Sequence, residues 1–128
     1  MLILEPPFSD EKFHFVKTLN DIKNSPSNST LVFKYCQSSL DLYNFCKINS
    51  IPYGVIISGI KELIFVSNLK AKYVFTDILQ NAVSFQKIVD EYLLDTKNVF
   101  LANTLDEIEE AAKYFIDGIK LKENEWLR

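Results

Sequence analysis

Arginine is almost absent from this chain of 128 residues, since Arg128 at the last position is the only one. The planar guanidinium of arginine is the usual group for bidentate recognition of phosphates and bases. The formal net charge is −3, and an acidic chain lacks the basic footprint of a nucleic-acid-binding protein. The composition therefore predicts that nucleic acid is not a partner.

Histidine and cysteine are also scarce, with His14, Cys36 and Cys46 as their only representatives. A structural zinc site needs four such ligands, and a Ser-His-Asp arrangement needs partners that His14 does not have nearby in sequence. We expect no metal and no cofactor. Two cysteines without a secretory signal predict free thiols, and Cys36, at the end of an apolar run, is expected to be buried and inert.

Glycine is also scarce, and long hydrophobic runs are absent. With only three glycines, the phosphate-binding patterns G-x-G-x-x-G and G-x-x-x-x-G-K-[ST] are missing. No apolar run approaches the roughly 20 residues needed to cross a bilayer. The opening MLILEPPF lacks the basic start and cleavage site of a signal peptide. These features predict a cytoplasmic protein with no membrane contact.

The sequence does contain the alternation of strand and helix patterns that is typical of an α/β domain. Apolar, β-branched or aromatic runs predict strands at 31–35, 53–57, 72–76, 99–102 and 116–121, with MLIL at 1–4 as a sixth if it pairs. Apolar residues spaced by three and four predict helices at 10–23, 39–49, 60–70, 78–94 and 105–115. Tyr92, Leu93 and Phe115 are assigned to the buried faces of the last two helices.

This alternation predicts a single three-layer αβα domain with a mainly parallel sheet of five or six strands, of flavodoxin-like or Rossmann-like type. The domain is expected to span 1–121, with 1–30 as an N-terminal strand and helix extension ending in a loop. Residues 122–128 are expected to form a polar tail. Within that tail Trp126 either docks back onto the domain or anchors a partner.

Three helix starts are visible in the sequence. TLDE at 104–107 is a capping box with Thr104 as N-cap, DILQ at 77–80 offers Asp77 as N-cap, and SSLD at 38–41 supplies a third start. Asp, Ser, Thr and Asn are preferred at such positions because their side chains accept hydrogen bonds from free backbone amides.

The same polar residues are the candidate ligand site, because the carboxyl ends of parallel strands share one edge of a sheet. The candidates lie directly after the predicted strands: Ser38, Ser58, Gly59, Asp77, Asn103 and Thr104. Helix capping is the competing explanation for each of them. For the Ser58-Gly59 turn, a single glycine favours a role in chain geometry over anion binding.

Asp77 follows a central predicted strand, Thr104 follows the next one, and Lys120 lies in the last. This spacing resembles that of the receiver domains of response regulators, over residues 31–121. The resemblance implies that Asp77 would accept phosphate, Thr104 would respond and Lys120 would pair with it. The segment FKYCQSS stands where the metal-binding acidic pair should be, so active phosphotransfer is not expected. The segment 103–121 is similar to one βα repeat of phosphate-binding TIM barrels, of which this chain could form half.

The absence of catalytic and phosphate-binding motifs favours a non-enzymatic cytoplasmic module that acts through protein–protein contacts or self-association. The alternative is a protein that handles a small molecule, nucleotide or phosphate at the C-terminal ends of the strands.

Overall fold

The computed structural model describes the backbone of residues 1–127 and the side chains of residues 1–126. The strands are β1 (Leu2–Ile3), β2 (Lys12–Phe15), β3 (Ser29–Lys34), β4 (Tyr53–Ile56), β5 (Tyr73–Thr76), β6 (Lys97–Ala102) and β7 (Gly118–Leu121). The helices are α1 (Leu19–Lys23), α2 (Leu40–Ile48), α3 (Ile60–Asn68), α4 (Leu79–Glu91) and α5 (Ile108–Lys113). Short 3-10 turns precede α2 and α5, and another covers Asn124–Leu127.

All seven strands are parallel and form one sheet in the order β1-β7-β6-β5-β4-β3-β2. The predicted parallel α/β sheet is confirmed, with seven strands in place of five or six. From β2 to β7 the spatial order follows the chain, as in a segment of a TIM barrel. The strand MLIL does pair, as β1 beside β7.

The sheet is strongly curled. The Nζ atom of Lys120 on β7 lies 5.3 Å from the centroid of the Phe13 ring on β2, although β3, β4, β5 and β6 separate these two strands. In a flat sheet, strands five positions apart lie roughly 24 Å from each other. The curl therefore creates a concave inner face that side chains from both ends of the sheet fill together.

The helices cover the outer face, and the chain ends cover the inner one. Outward strand residues such as Phe33 and Val55 pack with Tyr43 of α2 and Leu63 of α3. Inward residues of the strands pack instead with Leu4 and Trp126, which come from the two ends of the domain. Helices, sheet and terminal segments together make the layers of the α/β fold.

The inner face leaves no room for a side chain at one strand position. A Cβ atom added to Gly54 would lie 2.6 Å from the edge of the Phe75 ring and 3.1 Å from the Cβ of Tyr73. Glycine is therefore required at this point of β4 so that the aromatic side chains of β5 can pack across it.

The predicted helix over 10–23 is wrong. Residues 12–15 instead form β2, whose residues Phe13 and Phe15 pack against the inner cluster. This alternation has period two, the period of a strand rather than a helix. The helix begins only after Thr18, which forms a capping box with Asp21.

Of the other predicted helix starts, Thr104 and Glu107 form the expected capping box. The prediction for Asp77 is wrong, because the residue at the N-cap of α4 is Ile78, whose amide donates to the hydroxyl of Thr76. At the third start α2 begins at Leu40, and Ser39 makes no side-chain capping bond.

Candidate functional site

The parallel sheet places all six predicted strand-end residues at its C-terminal edge, where α2, α3, α4 and α5 begin. At two of the turns a carboxylate from the following helix already occupies the backbone amides. Glu62 accepts hydrogen bonds from the amide and the hydroxyl of Ser58, both at 3.1 Å. Glu107 accepts from the amides of Asn103 at 2.6 Å and Thr104 at 3.0 Å.

The turn before α1 repeats this arrangement. Asp21 accepts from the amides of Lys17 and Thr18 at 2.9 and 3.1 Å, and these bonds hold the pKa of its carboxyl below the usual value. Free amides at a helix start are what makes a phosphate site. At these three turns the chain fills that site with its own carboxylates.

Gly59 and Ser38 also have local roles. The backbone of Gly59 is extended, with φ −158°, and a Cβ atom built there would meet nothing within 4 Å. Ser38 places its hydroxyl 3.0 Å from the sulfur of Cys36, and this contact lowers the pKa of the Cys36 thiol. The expectation that Cys36 is buried is wrong, since it is exposed, whereas Cys46 is buried; both cysteines are free.

In the structure the three residues of the receiver-domain resemblance each have other partners. Asp77 lies 3.8 Å from the Nζ atom of Lys122, and Thr104 belongs to its capping box. Lys120 is buried on the inner face, where it forms ion pairs at 3.0 Å with both Glu5 and Glu123. Its ammonium group is thus neutralised by two carboxylates.

Trp126 lies on the inner face and is completely buried. Its ring is 5.5 Å from that of Phe75 and 5.8 Å from that of Phe13, with the Nζ atom of Lys120 4.9 Å from its centroid. In this conformation it docks onto the domain, which was one of the two alternatives for this residue.

A cleft remains at the C-terminal edge, above β4. It has a volume of about 300 Å³ and is lined by Ser58, Glu62, Asp77 and Asn81 together with Lys34 and Tyr35. The hydroxyl of Tyr35 is buried and makes no hydrogen bond. The N-terminus of α4 borders this cleft, with no side-chain cap and no acidic residue in its first turn.

Apolar exposure is concentrated at the opposite, N-terminal edge of the sheet, where the helices end. The four most exposed large hydrophobic side chains among the described residues are Leu93 (85%), Phe115 (82%), Ile48 (71%) and Tyr92 (67%). Tyr114 is 47% exposed. The assignment of Tyr92, Leu93 and Phe115 to buried helix faces is wrong, because each lies after the last helical residue.

Leu93 and Phe115 also have left-handed backbone conformations, with φ of 53° and 58°. Both follow helices that end in the same way. The amide of Leu94 bonds to the carbonyl of Val89 across the end of α4, and the amide of Ile116 bonds to that of Ala111 across the end of α5. The left-handed residue in such a helix ending is usually glycine or asparagine.

The same conformation recurs at Ser50 after α2 and Lys70 after α3. Polar side chains there remain in solvent, as an exposed helix ending allows. Leu93 and Phe115 are therefore unusual both in conformation and in exposure. They were predicted to be core residues because their spacing in the sequence continues that of the helices before them.

Leu93 and Phe115 belong to adjacent βα units. The turn after Phe115 is held against α4, since the amide of Asp117 donates to the side chain of Gln86 at 3.0 Å. The carboxylate of Asp117 in turn accepts from the amide of Asn98 at the start of β6. We call Tyr92, Leu93, Tyr114 and Phe115 the helix-end surface.

No group of three or more histidine, cysteine or acidic side chains within the described residues is arranged to hold a metal ion. None of the helices in the described part of the chain has the length and apolarity needed to span a membrane. Comparison of the chain with models of known protein families gives no match, and a search of curated proteins gives none either.

Proposed function

We propose that this chain is a non-enzymatic module that acts through protein–protein contacts at its helix-end surface. The observation that carries the proposal is the pairing of strain and exposure at Leu93 and Phe115. A left-handed conformation costs a residue with a side chain roughly 1–2 kcal/mol. A side chain that is more than four-fifths exposed recovers little of that cost through burial in its own domain.

Composition does not explain these two residues. The low glycine content of the chain would remove the preferred residue at a helix ending, but asparagine is tolerated there and is used throughout this sequence. A leucine and a phenylalanine at two such positions instead supply apolar anchors. Exposed apolar patches of several hundred Å² on soluble domains commonly mark interaction sites.

Leu93→Asn and Phe115→Asn together are expected to leave the free energy of unfolding unchanged or to raise it by up to about 1 kcal/mol, because asparagine fits the left-handed backbone. The double variant is also expected to lose partners that the wild type captures in crosslinking from its native cells. Denaturant unfolding and quantitative comparison of the captured proteins are the two measurements.

Ser50→Asn with Lys70→Asn is the matched control, since it changes the two polar residues in the same conformation. The control should retain every partner. Loss of more than about 1 kcal/mol of stability in the Leu93/Phe115 variant would show that these side chains serve folding. If the Leu93/Phe115 variant captures the same set of proteins as the wild type, the proposal is contradicted.

The second candidate function is small-molecule or phosphate handling in the cleft of about 300 Å³. The buried, unbonded hydroxyl of Tyr35 favours it, together with the uncapped start of α4. A thermal-shift screen with nucleotides, sugar phosphates and Mg²⁺ should raise the unfolding midpoint if a ligand binds the folded state. Asp77→Asn should change that response without changing the midpoint of the free protein, and a screen with no shift argues against this function.

A further inference from the structure

We infer that the cleft above β4 binds an uncharged, hydroxyl-rich compound, a sugar or polyol no larger than a monosaccharide. The inference rests on the second candidate function and names its ligand class. Three properties of the cleft support it: the mixture of hydrogen-bond donors and acceptors in its lining, the opposed charges around it, and its small volume.

Two carboxylates that line the cleft give it its strongest hydrogen-bond acceptors. Glu62 receives one bond on each oxygen, from the amide and the hydroxyl of Ser58. Asp77 lies 3.8 Å from the Nζ atom of Lys122, which is beyond hydrogen-bond distance. Because an ionised carboxylate has about four lone-pair sites, both groups can still accept bonds from the hydroxyls of a ligand.

Tyr35 supplies an unpaired donor. Its hydroxyl is buried and makes no hydrogen bond within the described residues. Burial, together with the negative charges of Glu62 and Cys36, raises the pKa of this hydroxyl, so it keeps its proton at neutral pH. The influence of Glu62 places the hydroxyl close to a carboxylate of the cleft. A ligand oxygen that accepts from Tyr35 would satisfy a buried donor, which is costly to leave unbonded.

The first turn of α4 supplies further donors. Its N-cap residue, Ile78, makes no side-chain cap, and the turn contains no acidic residue. The amide of Ala82 bonds to the carbonyl of Ile78, so the amides of Leu79 and Gln80 come before the first intrahelical bond and have no acceptor within the helix. Asn81, which lines the cleft in the same turn, both donates and accepts. A ligand hydroxyl also does both, and therefore matches this mixture of partners.

The charges around the cleft disfavour ionic ligands of either sign. A phosphate or carboxylate ligand would meet Glu62 and Asp77, on a chain of net charge −3. A cationic amine would meet Lys34 and the positive end of the α4 dipole. Like charges that are brought together weaken binding. An uncharged ligand avoids both repulsions and still uses the donors and acceptors.

The volume and the apolar part of the lining limit the ligand further. A cavity of about 300 Å³ is at the lower end of the range for small-molecule pockets, which suits a monosaccharide better than a nucleotide. Ile56, Ile57 and Ile78 contribute apolar surface to the lining. The C–H groups of a sugar ring or a polyol chain can pack against this surface while the hydroxyls face the polar groups.

Chemical-shift mapping of the backbone amides of the full chain by NMR tests the inference. The probes are glycerol, ribose, glucose and myo-inositol, each compared with its monophosphate, and glucosamine as the amine counterpart of glucose. At least one neutral probe is expected to bind with a Kd below about 10 mM, with the largest shifts at the amides of Ser58, Leu79 and Gln80. Its monophosphate, and glucosamine where glucose binds, should bind at least about tenfold more weakly. Mapping the amides avoids the general stabilisation that sugars give to folded proteins in thermal measurements.

Two substitutions assign the binding to the cleft. Tyr35→Phe removes the unbonded hydroxyl and keeps the ring, so it should weaken binding of the neutral probe about tenfold while the unfolding midpoint stays the same or rises. Asp77→Asn should weaken binding of the neutral probe and strengthen binding of its monophosphate, because it removes a negative charge from the lining. Asp106→Asn, at an exposed position in another strand-end turn, is the matched control and should change neither affinity.

The inference is overturned if none of the four neutral probes binds, or if a monophosphate binds more tightly than its neutral counterpart. In the second case the small-molecule function stands and only the ligand class is wrong. If glucosamine and the phosphates also fail to bind, the second candidate function falls as well. Binding that Tyr35→Phe and Asp77→Asn leave unchanged lies outside the cleft and also overturns the inference. None of these results bears on the helix-end surface, whose test uses other variants.

Discussion

Replacing Trp126 by alanine is expected to lower the free energy of unfolding by about 3–5 kcal/mol, the usual cost of deleting a buried tryptophan side chain. Trp126 is fully buried and is the only tryptophan. Its ring packs between Phe13 of β2 and Phe75 of β5, so its loss would leave a cavity in the inner face. Urea denaturation followed by circular dichroism measures the change.

The physical reason is the curl of the sheet. Within the described residues, the helices α1–α5 pack on the outer face, so the inner face depends on the terminal segments for cover. Removing the indole would also remove the aromatic ring that lies 4.9 Å from the Lys120 ammonium group. Phe8→Ala is the matched control, because Phe8 is 66% exposed and its loss should change stability by less than about 0.5 kcal/mol.

Trp126→Phe keeps the test informative if the alanine variant does not fold. The indole N–H of Trp126 is buried without a hydrogen-bond partner, a defect that costs roughly 1–3 kcal/mol. Phenylalanine removes this defect while losing part of the packing, so its net effect should be smaller than about 2 kcal/mol. An alanine variant as stable as the wild type would mean that the C-terminal turn leaves the sheet in solution.

The parallel sheet was predictable because its central strands are short β-branched or aromatic runs separated by helical spacing. β2 was not, since Phe13, Val16 and Leu19 imitate a helical stripe. The alternation of Phe13 and Phe15 indicated a strand instead. In so short a run, however, an alternation with period two cannot be distinguished from chance. The curl of the sheet could not be predicted from the sequence either, because it depends on aromatic contacts between strands that are distant in the chain.

Some residues of the candidate sites could likewise be predicted from the sequence, and others could not. Thr104 was predictable as a cap because the capping box is a local pattern. The occupation of strand-end amides by Glu62 was not predicted, although a glutamate four residues after Ser58 was a visible signal. Leu93 and Phe115 were hidden because helix ends are uncertain by a few residues, and one residue decides whether a side chain lies on the core face or in solvent.

Glu11 joins three strands at the N-terminal edge of the sheet. It lies just before β2 and accepts hydrogen bonds from the hydroxyl of Thr30 on β3 and the hydroxyl of Tyr73 on β5, the latter at 2.6 Å. The Nζ atom of Lys72 donates to it at 2.9 Å. Thr30 and Tyr73 are buried away from water. The carboxylate of Glu11 therefore supplies the hydrogen-bond acceptor for both of their hydroxyl groups.

Glu11→Ala is therefore expected to lower the free energy of unfolding at pH 7 by about 2–4 kcal/mol, since two buried hydroxyls lose a charged acceptor. Glu11→Gln, which keeps one acceptor oxygen, should lose about half as much. Glu109→Gln, at an exposed position, is the matched control and should change stability by less than about 0.5 kcal/mol. Urea denaturation of the four proteins gives the comparison.

The contribution of Glu11 should also depend on pH in a defined direction. Burial alone would raise the pKa of its carboxyl, but the bonds from Thr30, Tyr73 and Lys72 and the charge of Lys72 together hold the pKa below its usual value. A carboxyl with a lowered pKa in the folded state stabilises fully above its unfolded pKa, near 4.3, and this contribution disappears as the pH falls through the folded value. The difference in stability between wild type and Glu11→Gln should thus be constant from pH 7 to about 5 and shrink below about 4. A difference that stays constant down to pH 3 would mean that the carboxylate is not held by this network.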